Sequence, residues 1–153
     1  MTSIEMFAGC VDVASRLAEA EDAGDVAQLL AESAALLGAE SAAFASFVKD
    51  DETCASYRFI LACDARSCFE YEGGACYLND PWLEYTRRHA EPILTKNISA
   101  RTEQEQAVVE LARQYGFASA IVVPAQAPFG LTRLGGLCLG SAEPGRFDAN
   151  DLF

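Results

Sequence analysis

Residues 102–125, TEQEQAVVELARQYGFASAIVVPA, carry a capped amphipathic helix and a strand back to back, and that junction sets the fold class. Thr102 and Glu105 make a capping box. Ala107, Val108, Leu111, Ala112 and Tyr115 then recur at helical spacing, and Gly116 supplies the stop. Ala118–Ala125 is small and β-branched, the composition of a buried strand. Leu134–Ser141 (LGGLCLGS) reads as another strand, joined to the first by a turn around Pro128-Phe129-Gly130, so the two are expected to pair antiparallel. Gly135-Gly136 within it marks a bulge or a close approach of packed elements.

Upstream, Asp80-Pro81 places a capping carboxylate before a proline at the first helical position and starts a helix through about His89; the apolar bridge Ile93-Leu94 follows. Ser41–Val48 and Ser56–Cys63 are strand-forming runs around the polar turn Asp50-Asp51-Glu52, the pattern of a β-hairpin. Between them and Asp80 the signal is mixed: Phe69 and Tyr71 fit a short helix, while Gly73-Gly74 weakens a continuous one. At the N-terminus, Ile4, Phe7, Val11, Ala14, Leu17 and Ala18 share a helical face after Thr2 and Ser3, and this helix should end before Gly24. Asp25 can cap a second helix, with Val26, Leu29, Leu30, Leu36 and Leu37 on one face and Gly38 as its stop. The acidic cluster Glu19, Glu21, Asp22 and Asp25 falls at the corner between them. Phe147–Phe153 reads as a helix start capped by Asp148 and cut off within about a turn and a half. The expected architecture is α+β: an α/β/α sandwich with a central antiparallel sheet, one domain spanning 1–153. A chain that stops while entering a helix is expected to be a fragment.

A chain of 153 residues and 16.4 kDa suits one core. Hydrophobic residues make up 51% and charged residues 22%, and mean hydropathy is +0.09, which excludes a disordered chain. Eleven basic against 23 acidic side chains give −12, so phosphate backbones and anionic headgroups would be repelled. Residues 1–52 hold 11 acidic and two basic groups, or −9, and the remainder carry −3. The six cysteines, Cys10, Cys54, Cys63, Cys68, Cys76 and Cys138, show no C-x-x-C spacing. No signal peptide or run of about 20 apolar residues is present. Free, mostly buried thiols in a reducing cytoplasm are expected, with a thiol redox sensor as the alternative.

No catalytic arrangement emerges: the single histidine, His89, sits in the charged run Arg87-Arg88-His89, the mark of a solvated helix face. No phosphate-binding loop, metal set or cofactor motif is found, and an enzyme is not expected. What remains is Tyr71–Trp82, where Tyr71, Cys76, Tyr77, Asp80, Pro81 and the only tryptophan converge. On composition alone, Asp80 caps a helix and Trp82 packs.

The Asn79-Asp80-Pro81-Trp82 element has its aspartate nine residues after Tyr71 and is followed by Glu91-Pro92-Ile93-Leu94, the 102–116 helix, Tyr115-Gly116-Phe117-x-Ser119 and the two late strands. In this order and spacing the chain resembles the autoinducer-binding domain of LuxR-type transcriptional regulators. The resemblance implies a GAF-like sandwich binding an N-acyl homoserine lactone between sheet and helices, with a helix-turn-helix DNA-binding domain beyond residue 153. That domain would bring the positive charge which the present residues lack. By the same resemblance Asp80 matches the aspartate that accepts the ligand amide N–H, a task suited to an acceptor-only carboxylate. Tyr71 matches the last tyrosine of a Tyr-x-x-x-Trp-x-x-x-Tyr pattern, Trp82 a pocket-lining position, and Cys138 a small pocket residue on the late strand.

Cys63 stands where that pattern has its first tyrosine and Ser67 where it has tryptophan, so the indole donor to the lactone carbonyl is missing. Thr95 or Lys96 replaces a second pocket tryptophan. Each lost donor to a buried carbonyl costs about 1–3 kcal/mol. The resemblance with these departures implies a sensor domain, homodimeric, that binds a non-standard small-molecule signal or none, with ligand-binding residues Tyr71, Asp80, Trp82, Cys63, Ser67 and Cys138. Two alternatives stand beside it: a free-standing GAF-like module that dimerises with a full-length regulator, and a redox sensor using Cys63, Cys68 or Cys76.

Overall fold

The computed structural model describes residues 1–126 and 132–147. The turn expected at Pro128-Phe129-Gly130 and the helix start over 148–153 lie outside the described residues. Helix α1 (Ser3–Leu17) opens with a complete capping box, Thr2 Oγ1 accepting from Glu5 N–H at 3.2 Å and Glu5 accepting from Thr2 N–H at 2.7 Å. Helix α2 (Ala23–Leu36) begins earlier than expected. Its cap is Asp22, which accepts from Asp25 N–H at 2.9 Å, so Gly24 and Asp25 lie in its first turn. Two aspartates three residues apart compete for that place, and Asp22 is the one whose carboxylate reaches the third orphan N–H. Gly38, at φ +74°, ends α2 as expected: Gly38 and Ala39 donate back to Ala35 and Ala34.

Strands β1 (Ser41–Val48) and β2 (Arg58–Ala62) form the hairpin with Phe44 opposite Ile60. The ambiguous stretch divides at its glycines. Helix α3 (Ala65–Gly73), capped by Asp64, ends there, and a 3₁₀ turn (Cys76–Asn79) leads to α4 (Pro81–Arg88). After β3 (Ile93–Leu94) and a 3₁₀ turn (Thr95–Asn97) come α5 (Glu103–Gln114), β4 (Ser119–Gln126) and β5 (Arg133–Ser141). The sheet runs β2-β1-β5-β4-β3 with every pairing antiparallel, so the first hairpin is closed against the last strand.

Alternation along the strands separates two layers. Ala42, Ile121 and Leu139 face α2, where they pack with Ala34 and Leu30. Ala45 and Phe47 face the other way, against Leu83 of α4. This is the expected α/β/α sandwich. Gly135-Gly136 makes no bulge, because the β1–β5 and β4–β5 registers run through unbroken. The close-approach reading is the right one: a Cβ on Gly136 would stand 2.7 Å from Thr86 Oγ1, so this glycine sets how near α4 lies to the sheet.

The charged run at the end of α4 is only partly a solvated face. Arg88 and His89 are exposed, His89 stacking on Tyr85 at 4.3 Å, but Arg87 turns inward. Its guanidinium lies 5.0 Å from the Phe47 ring centre and donates to Lys49 O and to the Tyr57 hydroxyl. Phe47 is therefore wholly buried under a helix and a cation. Phe47→Ala is expected to lower unfolding free energy by about 3–5 kcal/mol, whereas Phe69→Ala on the exposed face of α3 should stay within about 0.5 kcal/mol. Urea titration checks both; equal losses would put the centre of the core elsewhere.

Candidate functional site

Four elements converge on the sheet face opposite α1 and α2. On α3, Ser67 and Tyr71 are one turn apart and point the same way. Ser67 donates to Asp64 O at 2.7 Å and shares a 3.0 Å hydrogen bond with the Cys63 thiol at the end of β2. Tyr71 is held edge-on by Phe59 of β2, with ring centres 5.3 Å apart. Its hydroxyl donates to Asp80 Oδ2 at 2.7 Å.

Asp80 has two tasks. Oδ1 caps α4, accepting from Trp82 N–H at 2.8 Å and Leu83 N–H at 3.3 Å, as local sequence alone predicted. Oδ2 faces the cavity wall and takes the Tyr71 hydroxyl. Burial raises the Asp80 pKa above its ordinary value, and the three donated hydrogen bonds oppose that rise. Tyr71 is raised well above its own ordinary value, by burial first and then by the Asp80 charge, so it stays protonated and remains the donor.

Pro81 at the first helical position starts α4 with Trp82 and Thr86 on one face, Thr86 donating to Trp82 O at 3.0 Å. Helix α5 supplies Val108 and Ala112, and Tyr115 at its end donates to Glu70 Oε1 of α3 at 2.5 Å, tying the two helices together. The sheet contributes small residues, Ala43, Ala45, Gly136 and Cys138, where larger ones would fill the space.

Together these line a cavity of about 110 Å³. All six residues expected at the site, Cys63, Ser67, Tyr71, Asp80, Trp82 and Cys138, lie on its wall. Sequence reasoning missed Thr86, Val108, Ala112, Tyr115 and Phe117. Thr86 was within reach, being one turn after Trp82 on a helix whose start was already fixed; Val108, Ala112 and Tyr115 had been read as the apolar stripe of α5 but not as cavity wall, and Phe117 lies in the connection after that helix. Thr95 and Lys96 line a second cavity of about 140 Å³ together with Arg113, and Trp82, Val109 and Phe117 belong to both walls.

The thiols depart from expectation. All six are free, but each is half-buried rather than buried, and two of them, Cys63 and Cys138, border the cavity. Burial is the main cause that pushes the pKa of Cys63, Cys68, Cys76 and Cys138 up, which suppresses the thiolate that oxidation needs. Among the described residues no group of three or more His, Cys, Asp or Glu side chains is placed to hold a metal ion, and no helix is long and apolar enough to cross a membrane.

The fold recurs in solved structures. CepR2 from Burkholderia cenocepacia, described as an N-acylhomoserine lactone dependent LuxR family transcription factor, superposes with a TM-score of 0.74 at 17% identity over 96% of this chain and 84% of that one. SdiA in complex with octanoyl-rac-glycerol gives 0.70 at 15% over 99% and 62%, SdiA being an Escherichia coli protein. The ligand-binding domain of VqsR from Pseudomonas aeruginosa gives 0.60 at 19% over 92% and 83%. A search of curated proteins by sequence finds no match. The model of the autoinducer binding domain matches residues 22–152, from the cap of α2 onward and across every element that lines the cavity. The chain belongs to the autoinducer-binding domain family.

Proposed function

We propose that this domain senses a small amphiphilic molecule in the first cavity, and that the molecule is not an ordinary N-acyl homoserine lactone. One observation carries the reading: a deeply placed carboxylate, Asp80, with a hydrogen-bonded tyrosine at 2.7 Å, on the wall of an otherwise mostly apolar cavity. Such a wall suits a ligand with one N–H or O–H donor and an apolar body. Oδ2 retains an acceptor direction beside the Tyr71 proton, and the Tyr71 oxygen can itself accept. Cys63, Ser67, Tyr71, Trp82 and Cys138 are the proposed contacts with the rest of the ligand. Ser67 and Cys63 offer short, weak polar groups where the family resemblance calls for an indole and a phenol, and this supports a different head group.

In the same reading the domain has no catalytic role, works in the cytoplasm as a homodimer, and leaves DNA to a helix-turn-helix domain outside these residues. The charge of −12 supports that division, since this surface repels nucleic acid. The SdiA chain of that complex is longer, this chain spanning 62% of it. A second reading, an interaction module acting by pairing, is favoured by the apolar stripe Ile4, Phe7 and Val11 on α1, exposed by 81%, 70% and 51%. The redox reading is disfavoured by the raised thiol pKa values.

Calorimetric titration with acyl lactones, acyl amides and monoacylglycerols tests the sensor reading; nanomolar binding of an ordinary lactone would sink the non-standard assignment. Asp80→Asn should weaken any bound N–H donor roughly tenfold or more, because a charged acceptor is lost, while thermal stability barely changes since Asn also caps. Loss of folding instead of affinity would make Asp80 purely structural.

A folded-state pKa raised by burial means that Asp80 favours the fold most below its ordinary pKa, and that this contribution is lost as pH rises through the raised value. Affinity for an N–H donor runs oppositely and falls as Asp80 protonates. Asp80→Asn should flatten both acid-side profiles. For the pairing reading, Phe7→Glu should shift sedimentation towards monomer; an unchanged dimer removes α1 from the interface.

A further inference from the structure

Helix α1 has two faces of different kinds. One rests on α2: Val13 is buried, a Cβ on Gly9 would stand 2.8 Å from Leu36 Cδ2, and Arg16 pairs with Glu32 at 2.6 Å. The other carries Ile4, Phe7, Val11 and Ala14, continued by Ala18 at the C-cap, and every one of these is exposed. Their spacing is 3, 4, 3 and 4, the heptad repeat of a seam between two helices rather than the broader apolar face of a helix laid on a core. Ser3, Ala8, Cys10, Ser15 and Leu17 flank that seam, and none is charged. Glu5, Asp12 and Glu19 fall outside those flanks, one heptad apart from each other. The acidity of this part of the chain, −9 over residues 1–52, is therefore not brought face to face when one α1 meets another.

The seam is also graded in size. Its N-terminal half holds Ile4, Phe7 and Val11 and its C-terminal half two alanines, so two parallel copies would set large against large at one end and leave a gap at the other. In an antiparallel pair the grading cancels. Phe7 then lies against the partner's Ala18, and Val11 against the partner's Ala14.

We propose that α1 is a homodimer contact in which two copies pair antiparallel about a two-fold axis, the large end of each seam filling the small end of the other. The assignment rests on the domain working as a homodimer, and it names the surface and the direction of that pairing. Helix α1 precedes residue 22, where the family match begins, so the contact is carried by a segment outside that match. It also lies on the layer away from the first cavity, and pairing leaves the cavity wall untouched.

Disulfide trapping combined with velocity sedimentation tests this. In a Cys10→Ser background, one preparation carries Val11→Cys and another Ala14→Cys, both at exposed positions, and the two are oxidised mildly, alone and as an equal mixture. The Cys10→Ser protein is expected to sediment as a dimer at micromolar concentration. The mixture should give several-fold more covalent dimer than either preparation alone, with peptide mapping placing the bond between residues 11 and 14. If Val11→Cys alone cross-links as well as the mixture, the copies run parallel and the proposal is wrong. A dimer that no combination traps puts the contact elsewhere and leaves the homodimer standing without α1. A monomer removes both, while the ligand titrations decide separately whether the first cavity is a sensor site.

Discussion

A single carboxylate holds the site together. Asp80 ends the 3₁₀ turn, starts α4 through two backbone N–H groups, and fastens α3 to that start through the Tyr71 hydroxyl. Burying a charge is unfavourable unless it is hydrogen-bonded, and here three donors from two elements meet that need. The same bonds fix the directions in which Trp82 and Tyr71 project. The cavity wall is therefore positioned by the group that caps α4, and the acceptor role proposed for Asp80 is compatible with that cap, since the two would use different oxygens.

Around that anchor, residue size decides where space remains. Phe47, covered by Leu83 and Arg87, plugs one end of the sheet face, and the rings of Tyr57, Phe59, Tyr71 and Tyr77 pack side by side to hold α3 and the 3₁₀ turn off the hairpin. Between them the strands present Ala43, Ala45, Gly136 and Cys138, too small to reach the helices. Gly136 lets Thr86 touch the sheet while the neighbouring positions stay apart. A helix close at one point and stood off elsewhere by aromatics leaves a cavity instead of a collapsed core.

Local rules made much of this legible. The capping box at Thr102, Asp80-Pro81 and the stop at Gly38 are short-range devices whose hydrogen bonds are set by residues a few positions apart, and the structure keeps each of them. The strands were readable because their composition leaves few alternatives. The failures are equally physical. Between Asp22 and Asp25 the sequence offers two carboxylates of the same type, and only the path of the chain shows which reaches the orphan N–H. The inward turn of Arg87 depends on Phe47 and Tyr57, dozens of residues away. The second cavity needs α5, β4 and the segment after β3 in place, so no local pattern announces it. The six proposed contacts were found through family resemblance rather than spacing, and their common wall is a tertiary fact.

Leaving space beside the strands carries a standing penalty, because the apolar lining forfeits packing contacts on that side. Replacing Ala43 or Ala45 by larger apolar residues would remove the penalty outright, and volume-filling side chains of that kind stand close by at Phe44 and Phe47. The sheet instead keeps small residues beside a buried carboxylate, a combination unfavourable in itself and favourable only when a molecule with a donor and an apolar body fills it. Under the proposed reading, Cys63 and Ser67 standing where the resemblance calls for a phenol and an indole change the polarity of that space, and with it the molecule that would fit.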